Sequence, residues 1–237
     1  MLRLATWNVL APSYAHQSRY AGVVPDDLAA AARVPRVRDR ILALLAECDA
    51  VALQEVDADL VSWLRDEAGA GIAHAPRPSS SDGVLVASTR HELAGPTGVS
   101  GDGRRTWAGA FVEGVLVVSV HLDPEIPQRQ LHGTTQAREL VAWCDAQEAG
   151  TVVVLGDINA AWDSRTGRVL ARAGFETSPS GATAATNGRT RELDVVAVRG
   201  CAALMVTPPG LPHTGSPLWL PDALVPSDHA PLLATVD

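Results

Sequence analysis

Apolar runs of strand length in this chain repeatedly break on a single polar residue. Leu2–Val9 carries Asn8, Ala50–Gln54 runs into Glu55, Val115–Leu122 carries His121, Thr151–Leu155 leads to Asp157, and Leu193–Val198 carries Asp194. A buried strand gains nothing from a lone carboxylate or imidazole, because burying a charge without a partner is costly. Alone, each such residue reads as a turn former. As an ordered set they point to strands whose ends meet on one rim of a sheet, where loops and strand ends carry function.

The stretches between these runs have helical character. Val37, Ile41, Leu44 and Leu45 recur at helical spacing after Pro35, which predicts a helix from there to about Cys48. Further helices are expected over Ala58–Ala68, from Pro127 with Ala137, Leu140, Val141 and Cys144 on the buried side, and over Arg165–Ala173. Strands are expected at Gly83–Ser88, Trp107–Val112 and Pro231–Val236, with Glu113-Gly114 as a hairpin turn. Ala11–Val34, Ala75–Gly83, Gly95–Arg105, Glu176–Arg191 and Thr207–Pro226 read as loops. The 237 residues suit one catalytic domain spanning 1–237.

Composition excludes several classes. All 19 basic residues are arginine, so chemistry that needs a lysine, such as Walker-type nucleotide binding or Schiff-base formation, is absent. This usage suggests GC-rich coding and a bacterial source. Three distant cysteines, Cys48, Cys144 and Cys201, form no Cys-x-x-Cys pair and read as buried thiols of a cytoplasmic protein. No apolar run reaches membrane-span length and no signal peptide is visible, so no membrane association is expected. A net charge of −8 suits a site built from carboxylates and disfavours a long duplex, whose binding rests on basic contacts.

Six segments in order, Thr6-Trp7-Asn8, Leu53-Gln54-Glu55, Ser119-Val120-His121-Leu122, Gly156-Asp157-Ile158-Asn159, Glu192-Leu193-Asp194 and Ser227-Asp228-His229, resemble the motifs of the endonuclease/exonuclease/phosphatase superfamily. Asn8-Val9-Leu10-Ala11 with Tyr14, Asp163-Ser164 and Pro226–Leu232 are most similar to its deadenylase branch, with nocturnin, the Angel proteins and 2′-phosphodiesterase. Arg129 and Gln136 after His121-Leu122 also fit that branch. Ile158 departs from the pattern, where Phe is usual.

The resemblance implies an α/β fold, a four-layer sandwich of two packed mixed sheets flanked by helices. It implies Mg²⁺ or Mn²⁺, one or two ions. Glu55 is then the principal ligand, with Asp228 beside it and Asn8 either adding an oxygen or orienting Glu55. Asp157, Asn159 and His229 would hold a second ion. In the same reading Asp157 holds and deprotonates the attacking water and Asn159 donates to phosphate or to Asp157. His121 and His229 stabilise developing charge, and Asp194 orients His229 and keeps it protonated.

The expected activity is hydrolysis of a phosphoric ester in a single-stranded RNA end or small nucleotide, without an obligate protein partner. A DNA repair endonuclease of the same superfamily and a catalytically inactive nucleic-acid-binding module are the alternatives. Tyr14, Tyr20, Trp162 and Trp219 are either base-stacking platforms or packing residues. Arg104-Arg105 either meet a phosphate or lie in a solvated loop. His16, His74, His91, His132 and His213 read as surface residues.

Overall fold

The computed structural model of the protein describes residues 1–125, 132–186 and 188–237. The chain begins with β1 (Leu2–Asn8), then α1 (Pro25–Leu28), α2 (Ala30–Glu47), β2 (Ala50–Asp57), α3 (Ala58–Asp66), β3 (Gly71–Pro76) and β4 (Asp82–Ser88). It continues through β5 (Thr97–Val99), β6 (Thr106–Val112), β7 (Val115–His121), α4 (His132–Asp145), β8 (Val152–Asp157) and α5 (Arg165–Arg172). It closes with β9 (Glu176–Thr177), β10 (Ala184–Thr186), β11 (Arg189–Arg191), β12 (Asp194–Arg199), β13 (Leu204–Thr207) and β14 (Leu232–Val236).

Two six-stranded mixed sheets form, in the orders β13-β14-β1-β2-β4-β3 and β5-β6-β7-β8-β12-β9. The pairs β1/β2 and β7/β8 are parallel. Strand parity decides how the sheets stack. Leu2 and Leu4 of β1, Ala50 and Ala52 of β2, Val117 of β7, Val153 and Leu155 of β8, and Val196 and Val198 of β12 pack together between the sheets. The alternate residues face outward: Ala5, Trp7, Val51 and Leu53 meet Val37, Ile41, Leu60 and Leu64 of α2 and α3. On the other sheet Leu116, Val118 and Val154 meet Ala137, Leu140 and Leu170 of α4 and α5. The result is the four-layer α/β sandwich expected from the sequence. Each buried Val, Leu or Ile side chain among these contributes roughly 1.5–3 kcal/mol, more than the local propensities of these short elements.

The hairpin at Glu113-Gly114 forms, both residues taking positive φ, 50° and 83°. The helix expected after Pro35 begins earlier, with Pro35 inside α2. The Ala29–Ala32 run is a strong helix former. Arg33, fully buried, also ties this turn to the Val9 and Pro226 carbonyls at 3.0 and 3.1 Å. Several expected loops carry short strands: β5, β9, β10 and β11 lie in them, and β3 and β13 are further unforeseen strands. These pieces are Gly- or Pro-flanked, or too short to show alternation. Pro127 and Arg129 lie outside the described residues, and α4 is described from His132. None of the described helices is long and apolar enough to cross a membrane.

Candidate active site

Parallel pairing brings the ends of β1 and β2 level, with Asn8 opposite Gln54, and those of β7 and β8 level, with His121 opposite Asp157. β12 runs antiparallel to β8, so Asp194 opens its strand, where the sequence reading had the polar groups at strand ends. The reversal still puts it at the same rim, paired with Asp157. Asn8, His121, Asp157 and Asp194 continue the inward-facing parity of their strands, so all four project into the gap between the sheets. Below them Gln54 bridges the sheets by donating to Ser119 Oγ at 3.0 Å, and it also donates to Thr6 Oγ1 of its own sheet at 3.1 Å. The gap therefore turns polar toward the rim.

Glu55 reaches this gap by a different device. Parity would send it outward to the helices. A β-bulge shifts the register between Gln54 and Val56, and Glu55 takes φ 58°. Its carboxylate then accepts Asn8 Nδ2 at 3.2 Å and the Ala11 N–H at 3.1 Å. Gly156 adopts φ 143°, and a Cβ there would meet the Val120 carbonyl and the Gln54 amide. That glycine lets β8 lie close to both neighbours as it delivers Asp157.

Asp157 is the hub. The Asn159 N–H donates to its Oδ1 at 2.8 Å, while Oδ2 faces Asn8 Nδ2 at 3.1 Å, His121 Nε2 at 3.5 Å and His229 Nε2 at 3.7 Å. On its other nitrogen His229 meets Asp194 Oδ2 at 2.7 Å. Ser227 sets the Ser-Asp-His turn by donating to the Asn8 carbonyl at 2.6 Å and accepting from the His229 N–H at 3.2 Å. Trp7 Nε1 donates to the His229 carbonyl at 2.8 Å, and Tyr20 OH donates to Asp228 Oδ2 at 2.8 Å. Asn159 Nδ2 donates to the Leu122 carbonyl at 2.9 Å, and Asn8 Oδ1 accepts the Leu10 N–H at 3.1 Å.

Burial and crowding set the charges. Burial pushes the Asp157 carboxyl up to about 7 against the pull of His229. Burial and then Asp228 raise Glu55. Burial works against a charged His229, but Asp194, Asp157 and Asp228 outweigh it and hold the imidazole well above its ordinary range. His121 goes the other way, held well below that range by burial and then by Arg105 and Arg77. The two histidines are thus pushed in opposite directions, His229 toward the imidazolium and His121 toward the neutral ring. The group opens into a cleft of about 270 Å³ lined by Glu55, His121, Asp157, Asn159, Asp228 and His229, together with Tyr14, Arg19, Arg77 and Arg105.

The Endonuclease/Exonuclease/phosphatase family model matches residues 5–229, nearly the whole chain and all six ordered segments from Thr6-Trp7-Asn8 to Ser227-Asp228-His229. The chain belongs to this family. Its members are phosphoesterases and nucleases, and the fold is shared with solved relatives. ANGEL2, described as a 2′,3′-cyclic phosphatase, superposes with TM-score 0.78 at 15% identity, covering 98% of this chain and 94% of that one. The human Nocturnin catalytic domain with bound sulfate gives 0.68 at 17%, covering 100% and 93%. TDP2 of D. rerio complexed with a single-strand DNA product gives 0.65 at 17%, covering 100% and 98%. A search of the curated proteins returns no match.

In this family member the surroundings of several other residues decide between readings left open, and in some cases depart from them. Tyr20 is no base platform: its ring is buried against Leu10, Val23 and Leu28, and its hydroxyl serves Asp228. Trp162 packs against the α4/α5 core, and Ser164 caps α5 by accepting the Gly167 N–H. Trp219 lies across Gly22 and Gly188. Arg105 is buried and paired with Asp123 at 2.8 Å, unlike a solvated loop residue. His74, His91 and His132 are half-buried, and Cys201 is partly exposed where Cys48 and Cys144 are buried. Arg77 and Asp123 gave no signal in the sequence, since neither belongs to a motif and each finds its partners only through the fold.

Proposed function

We propose that this family member is a Mg²⁺- or Mn²⁺-dependent phosphoesterase that hydrolyses RNA ends or small nucleotides, as the deadenylase-like segments suggest. The observation that carries the reading is the convergence on Asp157 Oδ2 of Asn8, His121 and His229 within one cleft. The donor set fits a divalent ion. Glu55, Asp157 and Asp228 are crowded carboxylates, Asp157 and Glu55 bear raised pKa values, and Asp194 Oδ1 is buried without a partner among the described residues. Glu55 and Asp228 are the proposed ligands, with Asn8 orienting Glu55 through its amide. When bound, the ion would polarise the phosphoryl oxygens and favour deprotonation of water.

Asp157 orients the attacking water and takes its proton, with Oδ1 fixed by the Asn159 N–H. His229, kept charged by Asp194, donates to a phosphoryl oxygen as negative charge builds, and neutral His121 donates beside it. Asn159 is a positioning group here. The domain 1–237 acts as one catalytic unit, without an obligate protein partner.

The test is hydrolysis of bis-p-nitrophenyl phosphate with Mg²⁺ and with EDTA, followed by competition between a single-stranded oligoribonucleotide and an abasic DNA duplex. Activity lost in EDTA and preference for the RNA are expected. Full activity in chelator would remove the metal mechanism. Absence of turnover under all conditions would favour a binding module. Preferential cleavage of the duplex would favour a DNA nuclease, the reading to which TDP2's single-strand DNA product lends some weight.

A further inference from the structure

Beyond the carboxylates the cleft continues into a second hollow of about 350 Å³, lined by Arg77, Ser79, Arg104, Arg105 and Asp123. Arg77 and Arg105 line both spaces. The way the arginines are held is informative. Arg104 and Arg105 both direct Nε to Asp123, at 3.1 and 2.8 Å. Asp123 is fixed in turn by Gln136, which accepts its N–H at 2.9 Å and donates to its Oδ2 at 3.2 Å. Arg77 donates through Nη2 to Tyr14 OH at 2.7 Å and pairs with buried Asp82 at 3.2 Å. Asp102 stands 4.0 Å from Arg104, and His132 3.6 Å from Asp123.

The carboxylates therefore occupy one side of each guanidinium. The terminal nitrogens of Arg104 and Arg105 meet no acceptor among the described residues. Nη1 of Arg105 is buried without a partner among the described residues, in a residue only 9% exposed. A buried donor left unsatisfied costs free energy. A planar guanidinium already oriented by its Nε bond is suited to bidentate binding of a tetrahedral oxyanion.

We propose that Arg77, Arg104 and Arg105, with the Ser79 hydroxyl, form a second phosphate subsite that holds a non-scissile phosphate of the substrate next to the one being hydrolysed. This rests on the reading of the cleft as a phosphoester site, and it narrows the substrate to nucleotides carrying at least two phosphate groups. The second group is either a terminal phosphomonoester or the next diester of a strand.

Calorimetric titration in EDTA, which prevents turnover, separates these sources. One arm compares adenosine 3′,5′-bisphosphate with adenosine 5′-monophosphate, and the other compares ApApA with ApA. The additional phosphate should tighten binding about tenfold in one arm, as expected for a charge-assisted contact. A gain in the first arm identifies a terminal phosphate, and a gain in the second alone identifies a strand phosphate. The gain should vanish in Arg104→Gln, whose side chain is 40% exposed and can be replaced without disturbing the core, and in Arg105→Gln. No gain in either arm, or a gain that survives Arg104→Gln, overturns the subsite. Hydrolysis of bis-p-nitrophenyl phosphate by the wild-type protein, measured in parallel with Mg²⁺, tests the function reading separately. Its failure would leave the titration result standing.

Discussion

Two groups of two aspartates and one histidine lie at neighbouring places on this molecule. In each, ligand atoms come within 4.8 Å of one another: Asp157, Asp194 and His229 in one, Asp102, Asp123 and His132 in the other. By composition they are interchangeable, yet their surroundings give them opposite electrostatics. Burial would raise Asp123, but Arg105 and Arg104 more than offset it and hold the carboxyl below its ordinary range. Asp157 has no arginine partner among the described residues, and its carboxyl is pushed up to about 7. The first group is short of positive charge and the second carries its own. Only the second supplies its own countercharge, and the identity of the side chains alone does not separate the two groups.

The largest contrast should appear in turnover. Asp157→Asn is expected to lower kcat on a phosphodiester substrate by roughly a hundredfold or more. Asp123→Asn should lower it by less than about tenfold, because Asp123 acts only through the arginines it orients. Steady-state kinetics of the two variants decide this. Equal losses would mean that the second group is also catalytic.

The next contrast is metal-linked stability. Mg²⁺ at a hundred times its dissociation constant should add about 2.7 kcal/mol to the wild-type protein and raise its Tm by several degrees. Glu55→Gln should abolish most of that rise, and His132→Ala should retain it. Thermal melts with Mg²⁺ and with EDTA measure both. A rise lost in His132→Ala would place the ion at Asp102, Asp123 and His132 and not at Glu55.

The smallest effect concerns acid. The folded-state pKa of Asp123 lies below its unfolded value, so its contribution is complete above about pH 3.9 and is lost as the pH falls toward the folded value. The Tm difference between the wild type and Asp123→Asn should therefore be constant from pH 7 to 5 and shrink toward pH 3. A difference that grows on acidification would mean that Asp123 is not held by its arginines.

Much of this site was legible because single polar residues close apolar, strand-length runs in a recognisable order. In β8, Val153, Leu155 and Asp157 share the inter-sheet side, as do Asp194, Val196 and Val198 in β12, but Val152, Val154, Val195 and Ala197 are apolar too, so spacing alone does not pick out that side. The sandwich was legible only through the resemblance carried by the six ordered motifs, since the apolar runs mark strands without saying how the sheets stack. Glu55 does not follow strand parity: only the bulge sends it inward, and nothing in Ala50–Asp57 signals one. Arg105 was equally opaque, since a Gly-rich flank suggests solvent, while its burial depends on Asp123, 18 positions away. The early start of α2 depends on Arg33 reaching the Pro226 carbonyl, a contact 193 positions long. Long-range polar partners, not periodicity, decided these places.

The bulge at Glu55 also bears on how this protein would respond to laboratory evolution. A left-handed backbone at a non-glycine residue costs of order 1–3 kcal/mol, and here it exists to aim one carboxylate among others that repel it. A library randomised at position 55 and sorted for heat resistance would enrich glycine or asparagine, which tolerate that conformation and shed the buried charge. The same library sorted for hydrolysis would return glutamate. The two selections pull apart at a single codon, so thermostabilised descendants of this chain are best screened for turnover at every round.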